Sequence, residues 1–228
     1  VQAGIALDDP NAYEDGKKLL LAGKDLPADC QGMMEALQQV GVLDEKLLLT
    51  LYRDALFSNK TGLAKVLVKR SSKTDAGLFK QIDDMAQNPA LALKKGTIQQ
   101  RSAYQRALYL YAIHRQAKAD TSVARASYQK YSGFLDNEEK QLAQAYIALE
   151  AARKHEPDAL QGFSKVNAVI LSSEQWEWYA RSALRQQDWE RLLKVINEMP
   201  AALSDESAWR YWKARALIAK GQIADANQ

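Results

Sequence analysis

Few side chains in this 228-residue sequence are of the types that do chemistry, and their spacing keeps them apart. There is one cysteine, Cys30, and there are two histidines, His114 and His155. A zinc site needs several thiolates or imidazoles within reach of one another. Neither histidine shares a helical turn with a second His or with Cys30, so no metal site is expected. His114, in Ala112-Ile-His-Arg115, reads as a helix-surface or groove residue. His155, in Arg153-Lys-His-Glu156, reads as a cation at a helix C-terminus, where the macrodipole favours positive charge. Nucleophilic catalysis needs a Ser, Cys or Thr beside a base on a framed turn, and no Gly-x-Ser-x-Gly is present. Phosphate binding needs a glycine-rich loop at a helix start, but the 11 glycines are scattered singly as turn stops. Glycoside cleavage needs a carboxylic acid of raised pKa in a sugar groove. The carboxylates here lie in polar, charge-alternating sequence, and only Glu206, in Asp205-Glu-Ser-Ala-Trp209, draws the eye. Its place in the first turn of a helix gives a plain account, since a carboxylate there complements the dipole. No residue is assigned a catalytic, cofactor-binding or metal-binding role.

The aromatic residues are the stronger signal. All 5 tryptophans lie between Trp176 and Trp212. The stretch from Trp176 to Trp189 and the stretch from Trp209 to Gly221 share a frame 33 residues apart: Trp176 falls on Trp209, Tyr179 on Trp212, Ala183 on Ala216 and Leu184 on Leu217. Each stretch has the pattern of a helix whose rings pack on small residues of a neighbour. Trp176, Tyr179, Trp189, Trp209 and Trp212 are therefore read as inter-helix packing first and as ligand contacts second, because a large ring seldom stays exposed without a partner. A repeated helical hairpin belongs to a solenoid, whose usual work is to scaffold or to bind.

Composition agrees with a folded binding domain. Hydrophobic residues make up 47% of the chain, enough for a real core, and the formal net charge is only +3. Acidic and basic residues alternate, as in Asp136-Asn-Glu-Glu-Lys140, which is the look of solvated helix faces; nucleic acid is not suggested. The densest basic stretch, Lys65 to Lys73, reads the same way. No apolar run reaches the roughly 18 residues of a membrane-spanning helix. The sequence opens at Val1 with neither initiator Met nor signal peptide, so targeting is invisible in it. Cys30 fits two readings, a small buried residue or half of a disulfide whose partner lies upstream of Val1, and composition favours the first.

Strand signals are nearly absent, and Gly and Pro fall between periodic segments. Helices are expected over about 11–22, ended by Gly23; after Asp29, with Met33, Leu37 and Val40 on one face and Gly41 as the stop; and over 45–58, capped by Asp44. A shorter helix follows over 62–68, then a polar break over 71–76, a helix over 78–87, and a short one from Asn88-Pro89 to Gly96. Further helices are expected over 98–117, over 120–132, from Asp136 to about Arg153, from Glu156-Pro157 to about Val166, and around Trp176 with Ser172 or Ser173 as cap. The last run over 189–199, capped by Asp188 and stopped by Pro200, and over 206–220, capped by Ser204 or Asp205, with Gly221 as the end. A final short helix over 223–228 is too brief to cover its partner, so the native protein is expected to continue. Short loops force antiparallel neighbours. The expected fold is all-α: a single domain over 1–228, a right-handed α-superhelix or solenoid of TPR-like hairpins with the shape of an incomplete ring or U.

Two stretches resemble a known family. The run from Glu177 to Glu190 carries an Arg-x-Ala-Leu core (Arg181 to Leu184) and an Asp188-Trp189 pair. Met199-Pro200 and the Trp209-Arg-Tyr-Trp212 helix follow. Together these resemble the superhelical U-domain of soluble lytic murein transglycosylases. The stretch Ala22-Gly-Lys-x-x-Pro27-x-x-Cys30, then a helix and Gly41, is similar to that family's N-terminal part. The resemblance implies a periplasmic protein, associated with the outer membrane or cell wall, with peptidoglycan glycan strands and other cell-wall enzymes as partners. It implies a parent enzyme that cleaves the β-1,4 bond between N-acetylmuramic acid and N-acetylglucosamine and leaves a 1,6-anhydro end. The family's catalytic Glu-Ser, Gly-Leu-Met-Gln and Ala-Tyr-Asn elements belong to a lysozyme-like domain and do not occur here as a set; Glu206-Ser207 matches two letters inside the superhelix motif and does not inherit the role. The segment is thus expected to be inactive alone and to need no cofactor. An oxidising compartment would favour Cys30 as half of a disulfide. The alternative is a free-standing TPR-like interaction scaffold that holds a peptide or helix in its groove.

Overall fold

The computed structural model describes residues 10–21, 30–73, 77–94 and 102–226. Among them every regular element is helical. The chain divides into two compact units, Val1–Arg115 and Gln116–Gln228.

The first unit holds α1 (Pro10–Leu21), α2 (Cys30–Gln39), α3 (Glu45–Phe57), α4 (Thr61–Arg70), α5 (Gly77–Gln87), α6 (Pro89–Lys94) and the larger part of α7 (Ala103–Ala119). The Asp44 carboxylate caps α3 by accepting the Leu47 N–H at 2.7 Å. Helix α3 then buries Leu48, Leu51, Tyr52, Ala55 and Leu56. Helix α4, which packs on α3, buries Ala64, Leu67 and Val68, and α5, which packs on α4, buries Leu78, Ile82 and Met85. Contacts pair α3 with α7 in parallel: Tyr52 meets the Tyr104 ring at 5.1 Å, and Tyr111 donates to Asn59 Oδ1 at 2.7 Å. The run from Ala107 to His114 is buried without a break, so α7 has no solvent stripe over those turns.

The second unit holds α8 (Thr121–Tyr131), α9 (Asn137–Arg153), α10 (Ala159–Ser164), α11 (Ser173–Arg185), α12 (Trp189–Glu198), α13 (Ala201–Ser204), α14 (Ser207–Ala219) and α15 (Ile223–Ala226). Two capping boxes start its main helices. Asp136 accepts the Glu139 N–H at 2.8 Å while Glu139 accepts the Asp136 N–H at 3.1 Å. Ser172 and Gln175 do the same for α11 at 3.3 and 2.9 Å. One core gathers Ala148, Ala152, Phe163, Trp176, Tyr179, Ala183, Leu192, Ile196, Trp209 and Ala216 from α9 to α14.

Five helices end in the same way. Gly41, Asn59, His155, Gln187 and Gly221 all have positive φ, between 56° and 77°. The left-handed residue after a helix lets the next N–H groups turn back onto the last free carbonyls. Thus Glu156 and His155 donate to the Ala151 and Ala152 carbonyls at 2.9 and 3.0 Å, and Asp188 and Gln187 to those of Ala183 and Leu184, each at 3.0 Å. Only the two glycines among these were expected as stops.

Several expectations change. Val40 does not share the buried face of Met33 and Leu37; it is 46% exposed, because α2 ends at Gln39. Helix α4 runs to Arg70, longer than expected. Ser71, at the start of the supposed polar break, is buried. A short helix, Ala201–Ser204, takes up the residues expected to cap α14, and Glu206 holds the cap position instead. Gly23, Asp29 and Gly96 lie outside the described residues, as do 74–76, 98–101 and 227–228.

Candidate functional site

The tryptophan-rich helices do two different things with their rings. Trp176, Tyr179 and Trp209 are 3%, 7% and 4% exposed, while Trp189 and Trp212 pack against the same core partly buried. Phe163 stacks on Tyr179 at 5.2 Å, and Trp176 lies near-parallel to Tyr179 at 6.3 Å. Burial follows the 33-residue frame, with Ala183 and Ala216 both fully enclosed. The helix ends do not follow it: Gln187 and Gly221, the left-handed residues, are one residue further apart.

Trp178 faces elsewhere. At 100° per residue, Trp178, Arg181, Ser182 and Arg185 form one stripe of α11, on a different side from Trp176 and Tyr179. That stripe and the turn after α9 enclose a cleft of about 480 Å³, lined by Ala152, His155, Glu156, Pro157, Trp178 and Arg181, with Ser182, Arg185 and Gln186 completing the wall. The left-handed conformation of His155 turns the chain here and sets its ring 6.3 Å from that of Trp178. Gln186 closes the far end by donating to the Pro157 carbonyl at 2.7 Å.

Charge in the cleft is unevenly committed. Arg181 pairs with Glu177 at 2.7 Å, and its guanidinium lies 5.3 Å from the Trp178 ring centre and 5.6 Å from that of Trp209. It is a cation held between two rings. Glu156 is engaged at both oxygens, by the Thr121 hydroxyl at 2.5 Å and by Arg125 at 3.0 Å. Arg185 has no carboxylate partner among the described residues. The wall therefore presents an aromatic face and one uncommitted guanidinium. Ser182 lines it too, but its hydroxyl donates to the Trp178 carbonyl at 2.7 Å, an intrahelical bond rather than a nucleophile poised beside a base. The cleft is equipped to bind, and a flat ligand with a negative group matches it.

The remaining singled-out residues are dispersed. His114 is not a surface residue: it is 8% exposed, and its ring packs 5.4 Å from Phe57, because the turns of α7 around it are enclosed on all sides. His155 is exposed at the cleft. Glu206 is exposed at the start of α14, and its side chain makes no capping bond. Cys30 opens α2, and its side chain lies outside the described residues. Among the described residues no three His, Cys, Asp or Glu side chains gather as a metal site, and no helix is long and apolar enough to cross a membrane.

A second polar cluster, in the first unit, is structural. Glu45 accepts from the Ser71 hydroxyl at 2.7 Å, the Ser72 N–H and hydroxyl at 2.9 Å each, and Tyr104 at 3.3 Å. Burial alone would raise this carboxyl, but the bonds from Ser71, Ser72 and Tyr104 outweigh it and hold the group below the usual carboxylate value. Tyr104, raised first by its own burial and then by that charge, is pushed up to about 12.

No protein-family model matches the chain. Among curated proteins, the soluble lytic murein transglycosylase of Escherichia coli K12 is 24% identical over 221 residues, which is 95% of this chain and 34% of the relative. The protein of the same name from Salmonella typhimurium is also similar. Among solved structures, an inactive mutant of the lytic transglycosylase Slt from Pseudomonas aeruginosa superposes with a TM-score of 0.74 at 26% identity, over 100% of this chain and 37% of that one. The 70-kDa soluble lytic transglycosylase in complex with bulgecin A shares the fold, with a TM-score of 0.61 at 22% identity over 94% of this chain and 35% of that one. By sequence and by fold the chain is similar to the soluble lytic murein transglycosylases, and it spans about a third of the length of the relatives it matches.

Proposed function

We propose that these 228 residues are the non-catalytic helical portion of a peptidoglycan lytic transglycosylase. The observation that carries the reading is the coverage: nearly the whole chain aligns with about a third of each relative, and helices account for all of the regular structure described. Both units belong to that portion. It holds the enzyme on glycan strands, and on other cell-wall enzymes, while a lysozyme-like domain elsewhere in the parent cleaves the β-1,4 bond between N-acetylmuramic acid and N-acetylglucosamine with formation of the 1,6-anhydro end. The parent works in the periplasm at the outer membrane or cell wall, where Cys30 forms a disulfide with a cysteine outside these residues.

The half-buried Trp178 and the cationic side chains at the cleft wall support a binding role, and the aromatic core shared by successive helices supports a scaffold. The chain should co-sediment with purified cell-wall sacculi and release no soluble muropeptide from them. Release of muropeptides by the chain alone would sink the scaffold reading. For Cys30, mass spectrometry of the whole protein from the periplasm should show a disulfide, and a free thiol in the whole population would refute that part.

A further inference from the structure

We propose that the cleft between α11 and the turn after α9 is a binding site for a carboxylate-bearing amino sugar, with the sugar ring on Trp178 and its carboxylate on Arg185. This deepens the reading above and rests on it for the choice of a sugar over a peptide. Three observations carry it.

The first is the ring. Trp178 packs against the edge of the core and stays half-buried at the cleft wall, while Trp176, two residues away, is enclosed. An indole that is partly exposed at a concave wall offers a flat apolar face. The C–H face of a pyranose ring covers such a surface without having to bury its hydroxyls.

The second is the distribution of charge. Arg181 is already neutralised by Glu177 and held against two rings, so its work is to fix the position of Trp178. Arg185 lies one turn further along the same stripe with no carboxylate partner among the described residues. A guanidinium binds a carboxylate through two parallel hydrogen bonds, so the free charge selects an anionic ligand.

The third is size and polar supply. About 480 Å³ accommodates one or two sugar rings. His155 offers ring nitrogens, and Gln186 keeps its side-chain carbonyl free, because its amide nitrogen is spent on the Pro157 carbonyl. Hydroxyls and an N-acetyl group therefore find both donors and acceptors. Arg181 is a positioning residue here; Trp178 and Arg185 are the contacts.

The test compares two sugars that differ in one group. N-acetylmuramic acid carries a lactyl carboxylate that N-acetylglucosamine lacks. The chain would be titrated with each by calorimetry, and with 15N-labelled protein the shifted amides would be mapped. N-acetylmuramic acid is expected to bind at least about tenfold more tightly than N-acetylglucosamine, as one charged bidentate contact implies. Its shifts are expected at His155, Trp178 and Arg185. Arg185→Gln should abolish the difference between the sugars without unfolding the protein, since Arg185 is exposed. Trp178→Phe should weaken both sugars together, and it keeps a ring in the wall should Trp178→Ala fail to fold. Equal binding of the two sugars, an unchanged preference in Arg185→Gln, or shifts clustered away from the cleft would overturn the proposal. So would tighter binding of an N-acetylated dipeptide with a free carboxylate, which would make the cleft a peptide site. Retained co-sedimentation with sacculi in Arg185→Gln, together with any of these, would leave the proposed function standing while this site falls.

Discussion

A close approach between two helices of the second unit gives a sharp test of its packing. A Cβ added at Gly162 in α10 would stand 3.1 Å from the Ala148 Cβ of α9 and 3.6 Å from its Cα. Two carbons meet comfortably at about 3.5–4.0 Å, so α10 must move away from α9 by a few tenths of an ångström or more. Gly162 lies inside a helix, where Gly→Ala on its own gains about 1 kcal/mol. Forcing a methyl into packed surroundings costs about 1–3 kcal/mol. The contact should win, and Gly162→Ala is expected to destabilise the unit by about 1 kcal/mol net, a fall of roughly 4–8 °C for a unit near 100 residues. All 5 tryptophans lie in this unit, so urea unfolding followed by tryptophan fluorescence reports it selectively. The decisive arm is Ala148→Gly, which removes the atom that is hit and loses helix propensity by itself. In that background Gly162→Ala should turn stabilising by about 1 kcal/mol, because only the propensity gain remains. If Gly162→Ala has the same sign with and without Ala148, the packing described for α9 and α10 is wrong.

Three further outcomes follow from the local chemistry. Gln187→Gly should stabilise the second unit by about 1 kcal/mol, since Gln187 holds a φ of 56° that a side chain disfavours; a loss measured by the same fluorescence assay would contradict the left-handed helix end. The Tyr52 hydroxyl is buried with no hydrogen-bond partner among the described residues, so Tyr52→Phe should be neutral or stabilising by up to about 1 kcal/mol in thermal unfolding read by circular dichroism, and a loss beyond that would reveal a partner. Glu45 has a folded-state pKa below its unfolded value, so its contribution to stability is fully present above the unfolded value and is lost as pH falls through the folded one. Glu45→Gln should therefore weaken the first unit at neutral pH and flatten the acid limb of its stability curve, and an unchanged limb would remove the role assigned to that carboxylate.

Helix starts were legible because side-chain caps are written in single letters. Asp44, Asp136, Ser172 and Asp188 each accept a backbone N–H at the start expected for them. The left-handed helix ends were legible only where glycine marks them. Asn59, His155 and Gln187 adopt the same left-handed geometry, but the tertiary fold and the returning hydrogen bonds impose it on side chains that do not advertise it. His114 was misread because a helix enclosed on all sides has no polar stripe to betray which residues are inside. The cleft was half legible. Trp178, Arg181 and Arg185 sit at spacings of 3 and 4, a mixed aromatic and basic stripe that a helical wheel separates from Trp176 and Tyr179. What no pattern along α11 could supply is the opposite wall, His155 to Pro157, which packing of the α9–α10 turn brings to it.

The central claim is that these residues hold a cell-wall enzyme in place and leave the cutting to another part of it. The direct measurement digests purified sacculi with the whole natural protein and, separately, with residues 1–228, and counts 1,6-anhydro muropeptides by mass spectrometry. The whole protein is expected to release them and residues 1–228 to release none. Anhydro products from residues 1–228, or none from the whole protein, would contradict the account.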